Sequence, residues 1–126
     1  MTAVPSLSER LELRYPIVCA PLFLISNVEM MVASARAGIL GGVPALNYRS
    51  HDEFRGALKD IRAQTDRAIV VNLIVHSQYN PRLEEDFEAC IEYEVPAPIT
   101  AFGTPASLIE RAHEKGILVF HLIITS

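Results

Sequence analysis

Two polar side chains sit where a buried strand should be apolar. Asn72 lies in the middle of "AIVVNLIV" (68–75) and His121 in "VFHLIIT" (119–125). A carboxamide can donate twice and accept twice, and burying it unsatisfied costs a few kcal/mol. Asn72 therefore bonds either a neighbouring strand or a buried water, or it contacts a ligand. A lone strand histidine such as His121 is more often a satisfied core residue than a catalyst. His76 follows the same strand as Asn72, where α/β enzymes place binding loops. His51 and His113 fall on helical segments and read as surface or cap positions. No histidine pair has HxxxH spacing, so no metal site is predicted. Gly41 and Gly42 lack a GxGxxG or GxxxxGK[ST] frame and fall within a strand, which reads as close backbone packing. The acidic stretch "RLEEDFE" (82–88) opens a helix, where acids favour the macrodipole, and needs no catalytic role. Cys19 and Cys90 have neither CxxC nor Cys/His spacing and read as reduced core thiols.

The elements that must position these residues alternate regularly. "YPIVCAPL" (15–22) is apolar on both faces, as in a strand buried on both sides. Ser26 and Glu29 have capping-box spacing, and Val28, Met31, Val32 and Ala35 then mark one helix face that stops at Gly38. "ILGGVPAL" (39–46) is a strand candidate weakened by its glycines and Pro44. Ser50 and Glu53 repeat the capping box ahead of Phe54, Ala57, Leu58 and Ile61. After the β-branched run 68–75, Asn80 and Pro81 predict a helix start, with Leu83, Phe87, Cys90 and Ile91 as its buried stripe. "APITAFG" (97–103) is a fourth strand. Thr104 and Pro105 open a helix carrying Leu108, Ile109 and Ala112 that ends at Gly116, and "ILVFHLIIT" (117–125) is a fifth strand. This is βαβαβαβαβ, the rhythm of a parallel sheet with right-handed crossovers. An open doubly wound sheet and a (β/α)8 barrel share it, and a whole barrel needs about 250 residues.

With 126 residues, half of them hydrophobic, and a net charge of −4, the chain is one globular domain with no basic patch for nucleic acid or an anionic membrane. No apolar run approaches the roughly 20 residues that span a bilayer. The N-terminus is charged too early for a signal peptide, which predicts a cytoplasmic protein.

"YPIVCAPLFLISNVEMMVASARAGILGG" resembles the opening of the nitronate monooxygenases, formerly 2-nitropropane dioxygenases: a "YPIIQAPM"-type strand, a short apolar loop, a helix, then "AGGLG". The similarity continues through "IRAQTDRAIVVNLIV", with the family's VN pair. It extends over "NPRLEEDFEACIEYEVPAPITAFGTPASLIERAHEKGILVFHLI", so it covers about residue 11 to the C-terminus. The resemblance implies a (β/α)8 barrel with FMN at the C-terminal ends of its strands, and residues 1–126 would be strands 1 to 5 of it, with four helices. It implies that the loop after the first strand lies against the isoalloxazine, through Ala20, Pro21, Leu22 and Phe23. The family usually has Met where this chain has Leu22, so no thioether role carries over. Asn72 matches the family's flavin-contacting asparagine, and His121 a position near the cofactor.

The phosphate-binding glycines and the catalytic histidine of the family belong to strands beyond Ser126, so no catalytic residue is assigned and this chain alone is expected to be inactive. The activity implied for the whole enzyme is oxidation of an alkyl nitronate with O2 to a carbonyl compound and nitrite. The alternatives are a flavin-dependent enoyl-acyl carrier protein reductase, which shares the "YPI…AP" opening and the VN strand and uses NAD(P)H, and a non-catalytic five-stranded flavin-binding or interaction module. The expected partner is a small-molecule substrate, and the exposed last strand offers an edge for association or a homodimer.

Overall fold

A computed structural model of the chain describes residues 3–123. Its five strands are β1 (Val18–Cys19), β2 (Leu40–Pro44), β3 (Ile69–Ile74), β4 (Ala97–Ala101) and β5 (Phe120–His121). They form one parallel sheet whose spatial order is the chain order. A doubly wound sheet reverses its strand order at a switch point, and this sheet has none. Consecutive order with crossovers of one hand sends every crossover helix to the same face, which is how a barrel wall is built. The chain is a curled half-barrel, part of a TIM barrel.

The crossovers are α2 (Val28–Ala37), α3 (His51–Gln64), α4 (Leu83–Glu92) and α5 (Ala106–Glu114), preceded by a single turn, α1 (Leu7–Arg10). That turn was not expected, although it carries the same signature used elsewhere: Ser6 and Glu9 cap each other's backbone N–H groups. Three expected starts move, α5 among them: it begins at Ala106 after Pro105, with no side-chain cap from Thr104. Asn27, not Ser26, caps α2 by accepting the Met30 N–H at 2.9 Å. Asn80 does not cap α4, which begins at Leu83 with no side-chain cap; its Nδ2 instead donates to the Ile74 carbonyl at 3.0 Å. Ser50 caps α3 as expected, but Glu53 returns its carboxylate to the Arg49 N–H rather than to Ser50.

Side-chain alternation divides the sheet into two faces. Val43, Ile69, Val71 and Leu73 pack with Met31, Phe54, Leu58, Ile61, Phe87 and Cys90 in the core between sheet and helices. Leu40, Val70, Ala97 and Ile99 form a second cluster on the inner face, closed at the N-terminal end by Leu11. The glycines and Pro44 do not demote β2: every residue of it is buried. Gly41 faces α2, where an added Cβ would lie 2.8 Å from the Ser34 Cβ, so close backbone packing explains this glycine.

β1 departs from expectation. It is an edge of the sheet, and Tyr15, Ile17 and Val18 are exposed, because among the described residues it pairs with β2 alone. β5 at the other edge is short, with Leu122 and Ile123 exposed. Thr125 and the end of the expected fifth strand lie outside the described residues. Pro98 contributes to the shortness of β5. In a parallel pair one residue's N–H and C=O point to the same neighbour. The Leu118 and Leu122 N–H groups bond Pro96 and Thr100, so the N–H that Pro98 lacks would have faced β5. Among the described residues no helix is long and apolar enough to cross a membrane.

The two thiols differ. Cys90 is buried, and that burial, with Asp86 nearby, pushes its thiol far above the usual range, whereas Cys19 is half-buried. Since the thiolate is the nucleophile, iodoacetamide should label Cys19 in the native protein and Cys90 only after denaturation, as read by peptide mass spectrometry. Equal labelling of the two would contradict the packing around α4.

Candidate functional site at the C-terminal rim

All five strands are parallel, so their C-terminal ends and the loops that follow share one rim, where barrel enzymes build their sites. The first of these loops runs from Ala20 to Ser26. Pro21 folds onto the inner face over Gly42: a Cβ added there would sit 2.8 Å from the Pro21 Cδ and 2.9 Å from its backbone nitrogen. Gly42 is therefore required by the path of the loop. Gly42→Ala should displace Pro21 and cost about 1–3 kcal/mol of stability, measured by denaturant titration. A fully neutral change would mean that the loop does not lie there.

Beyond Pro21 the chain leaves four consecutive large apolar side chains in solvent. Leu22, Phe23, Leu24 and Ile25 are 44%, 64%, 72% and 62% exposed. Hydrogen bonding, not burial, holds them. Ser26 Oγ accepts the Leu22 N–H at 2.8 Å, and the Ser26 N–H donates to the Leu22 carbonyl at 3.0 Å. Leu24 sits in the left-handed region at φ 61°, a conformation that costs a non-glycine residue about 1–2 kcal/mol. Sequence reasoning missed one further participant. Asn47 ends the 3-10 turn Ala45–Asn47 that follows β2, and its carboxamide bonds the loop backbone at Leu22, Leu24 and Ser26. Pro44 and an uncapped turn gave no periodic signal that would have marked it.

Asn72 lies on the same inner face as Pro21, with Pro44 and Ile99 as its register partners on β2 and β4. Its Nδ2 donates to the Ile99 carbonyl at 3.0 Å, and the residue is half-buried. The neighbouring-strand bond is thus present, and it fixes the amide at the inner surface rather than removing it from reach. His121 stands apart from this group. Its register partner Thr100 faces the helices, and Thr100 Oγ1 lies 2.8 Å from His121 Nδ1. The structure therefore brings Pro21 to the inner face that carries Asn72, with the apolar loop continuing from it along the same rim, and places His121 on the other side of the sheet. On the inner face at β5 stands Phe120.

Above Asn72 on β3 is Ile74. With Tyr79 and Phe102 it lines an open apolar cleft of about 220 Å3. The Tyr79 ring lies between those of His76 and Phe102, at centroid distances of 5.3 and 6.3 Å. Phe102 is exposed and at φ 57°. His76 thus belongs to the rim, as its place after β3 suggested. His51, expected at a surface or cap, opens α3 and has its Nδ1 3.0 Å from the buried Asp86 carboxylate.

The resemblance implies FMN at this rim. An exposed, conformationally held apolar loop and a strand amide at one rim suit the apolar face and polar edge of an isoalloxazine ring. A flavin phosphate needs clustered N–H donors or cations, and these loops bring no glycine-rich cradle.

In three dimensions the chain is similar to FabK from Thermotoga maritima, with a TM-score of 0.83 and 26% sequence identity over 98% of this chain and 39% of that one. A point mutant of the same FabK gives a TM-score of 0.82 and 26% identity, over 98% of this chain and 41% of that one. The chain spans about two fifths of the length of these structures. No protein-family model and no curated protein matches it.

Proposed function

We propose that this chain is the flavin-facing portion of an FMN-dependent oxidoreductase in the superfamily that includes the nitronate monooxygenases and FabK. The observation that carries the reading is the held, exposed apolar loop Leu22–Ile25, which continues from Pro21 at the same rim whose inner face carries Asn72. Exposed apolar side chains kept in fixed positions by backbone hydrogen bonds make a wall for a flat apolar ligand. The similarity to FabK over nearly the whole chain supports the same superfamily. When bound, FMN supplies the redox chemistry that side chains lack. The chain's own part is to orient the ring: Pro21 sets the loop's path, Leu22 and Phe23 cover an apolar face, and Asn72 offers its amide to the polar edge.

For the whole enzyme the proposed activity is oxidation of an alkyl nitronate with O2, giving a carbonyl compound and nitrite. The likeness to FabK favours a second reading equally, because FabK is an FMN-dependent enoyl-acyl carrier protein reductase of this superfamily. The proposed partners are a small-molecule substrate and, through the exposed last strand, a second copy of the chain or another associating chain.

Titrating FMN into the purified chain, followed by quenching of flavin fluorescence, tests the site. Saturable one-to-one binding in the low-micromolar range, about −8 kcal/mol, with loss on Asn72→Leu, would place the ring site on these five strands. Absence of binding would show that five strands do not make a cofactor site. Nitrite release from propyl nitronate and NADH-dependent reduction of crotonyl-CoA by the full-length enzyme separate the two activities.

A further inference from the structure

We infer that Asn47 is the positioning residue of this site: from the neighbouring βα connection it sets the shape of the loop that meets the flavin. The inference rests on the FMN reading above. Asn47 Oδ1 accepts the Leu24 N–H at 2.8 Å, while Nδ2 donates to the Ser26 carbonyl at 3.0 Å and the Leu22 carbonyl at 3.2 Å. Both amide protons and the amide oxygen are thus used on one five-residue segment. The bond to Leu24 falls on the residue with left-handed backbone, which is where the loop most needs an external hold.

The chemistry of the side chain is specific. Aspartate would keep the bond from Leu24 but would set a carboxylate against two carbonyl oxygens. Glutamine would carry the right atoms one methylene too far. Alanine would leave the loop tied only by Ser26 and its own turn. Without the clamp, four exposed apolar side chains have no reason to stay in solvent and would collapse onto the nearest apolar surface. Holding them in the bound shape before the ligand arrives removes an ordering cost from binding. Because the loop side chains contribute little to the core, the clamp affects ligand affinity far more than folding.

The test uses Asn47→Asp, Asn47→Ala and the unaltered chain, with three readouts. These are the rate of chymotrypsin cleavage after Leu22, Phe23 and Leu24, the FMN dissociation constant with the visible spectrum of the bound flavin, and the thermal midpoint. The expected result is cleavage at the loop about tenfold faster and FMN affinity about tenfold weaker, with an altered flavin band and a nearly unchanged midpoint. Unchanged cleavage and affinity would overturn the inference. So would an affinity loss that only tracks a large fall in midpoint, since Asn47 would then be a folding residue. If the unaltered chain binds no FMN, these five strands do not make a cofactor site and the role of Asn47 in binding fails with it. The cleavage rates then still show whether Asn47 orders the loop.

Discussion

Replacing Asp86 with alanine is expected to lower stability by about 3–5 kcal/mol in urea denaturation, because the change leaves the half-buried Arg82 guanidinium without its carboxylate instead of deleting a neutral contact. The Asp86 carboxylate is fully buried. Its Oδ1 lies 3.0 Å from His51 Nδ1 and its Oδ2 accepts from Arg82 Nε at 2.8 Å. Arg82 in turn donates from its other end to the Ala45 carbonyl at 2.7 Å. One carboxylate therefore joins α3 and α4 to the turn that ends in Asn47. Asp86→Asn keeps the volume and one acceptor and should cost less, about 1–3 kcal/mol. Both variants should also weaken FMN binding below their melting range, since the Ala45–Asn47 turn loses its tether. A stability change for Asp86→Ala within about 1 kcal/mol, the ordinary scale of point mutations, would mean that the network is solvated and contributes nothing.

A loss of similar size, about 3–5 kcal/mol, is expected for Phe54→Ala. Phe54 has no exposed surface and packs on α3 among Leu58, Ile61, Val71 and Phe87, with the Tyr48 ring centred 6.0 Å away. The mechanism differs from that of Asp86: a cavity between sheet and helices, with no group left unpaired. In a domain this size such a loss should lower the thermal midpoint by roughly 10 °C or more. Phe54→Leu should recover much of it by refilling the space. If Phe54→Ala melted like the unaltered chain, the core between α3 and the sheet would have to be looser than its burial indicates.

The two variants also mark what the sequence could and could not disclose. Phe54, Ala57, Leu58 and Ile61 recur at helical spacing, and all four are buried, because periodicity is a local consequence of one face meeting a core. Asp86 is invisible to the same reasoning. Within "RLEEDFE" it looks like its neighbours, yet Glu84 and Glu88 are exposed and pair with Arg111 of α5, pairs that contribute little at a surface. Asp86 alone points inward, toward a histidine 35 residues earlier. Its environment is set by the approach of α3, not by its sequence neighbours. The caps show the same limit at shorter range. Ser26, Asn27 and Asn80 are equally able to cap a helix, and the fold uses only Asn27 for that, turning Ser26 to its loop and Asn80 to the end of β3.

The sequence by itself determined the alternation of strand and crossover helix, the parallel sheet, the helix faces, and the presence of an apolar loop after the first strand that no local partner covers. These follow from periodicity, breakers and composition, each readable within a dozen residues. Only the tertiary structure decided the strand order that separates a barrel wall from a doubly wound sheet, the edge position of β1, and the placing of Asn72 and His121 on opposite faces. It alone brought Asn47 to the loop more than twenty residues earlier. The reason is physical: a side chain's role depends on which backbone group lies within about 3 Å of it, and for residues far apart in the chain that distance exists only once the sheet has curled.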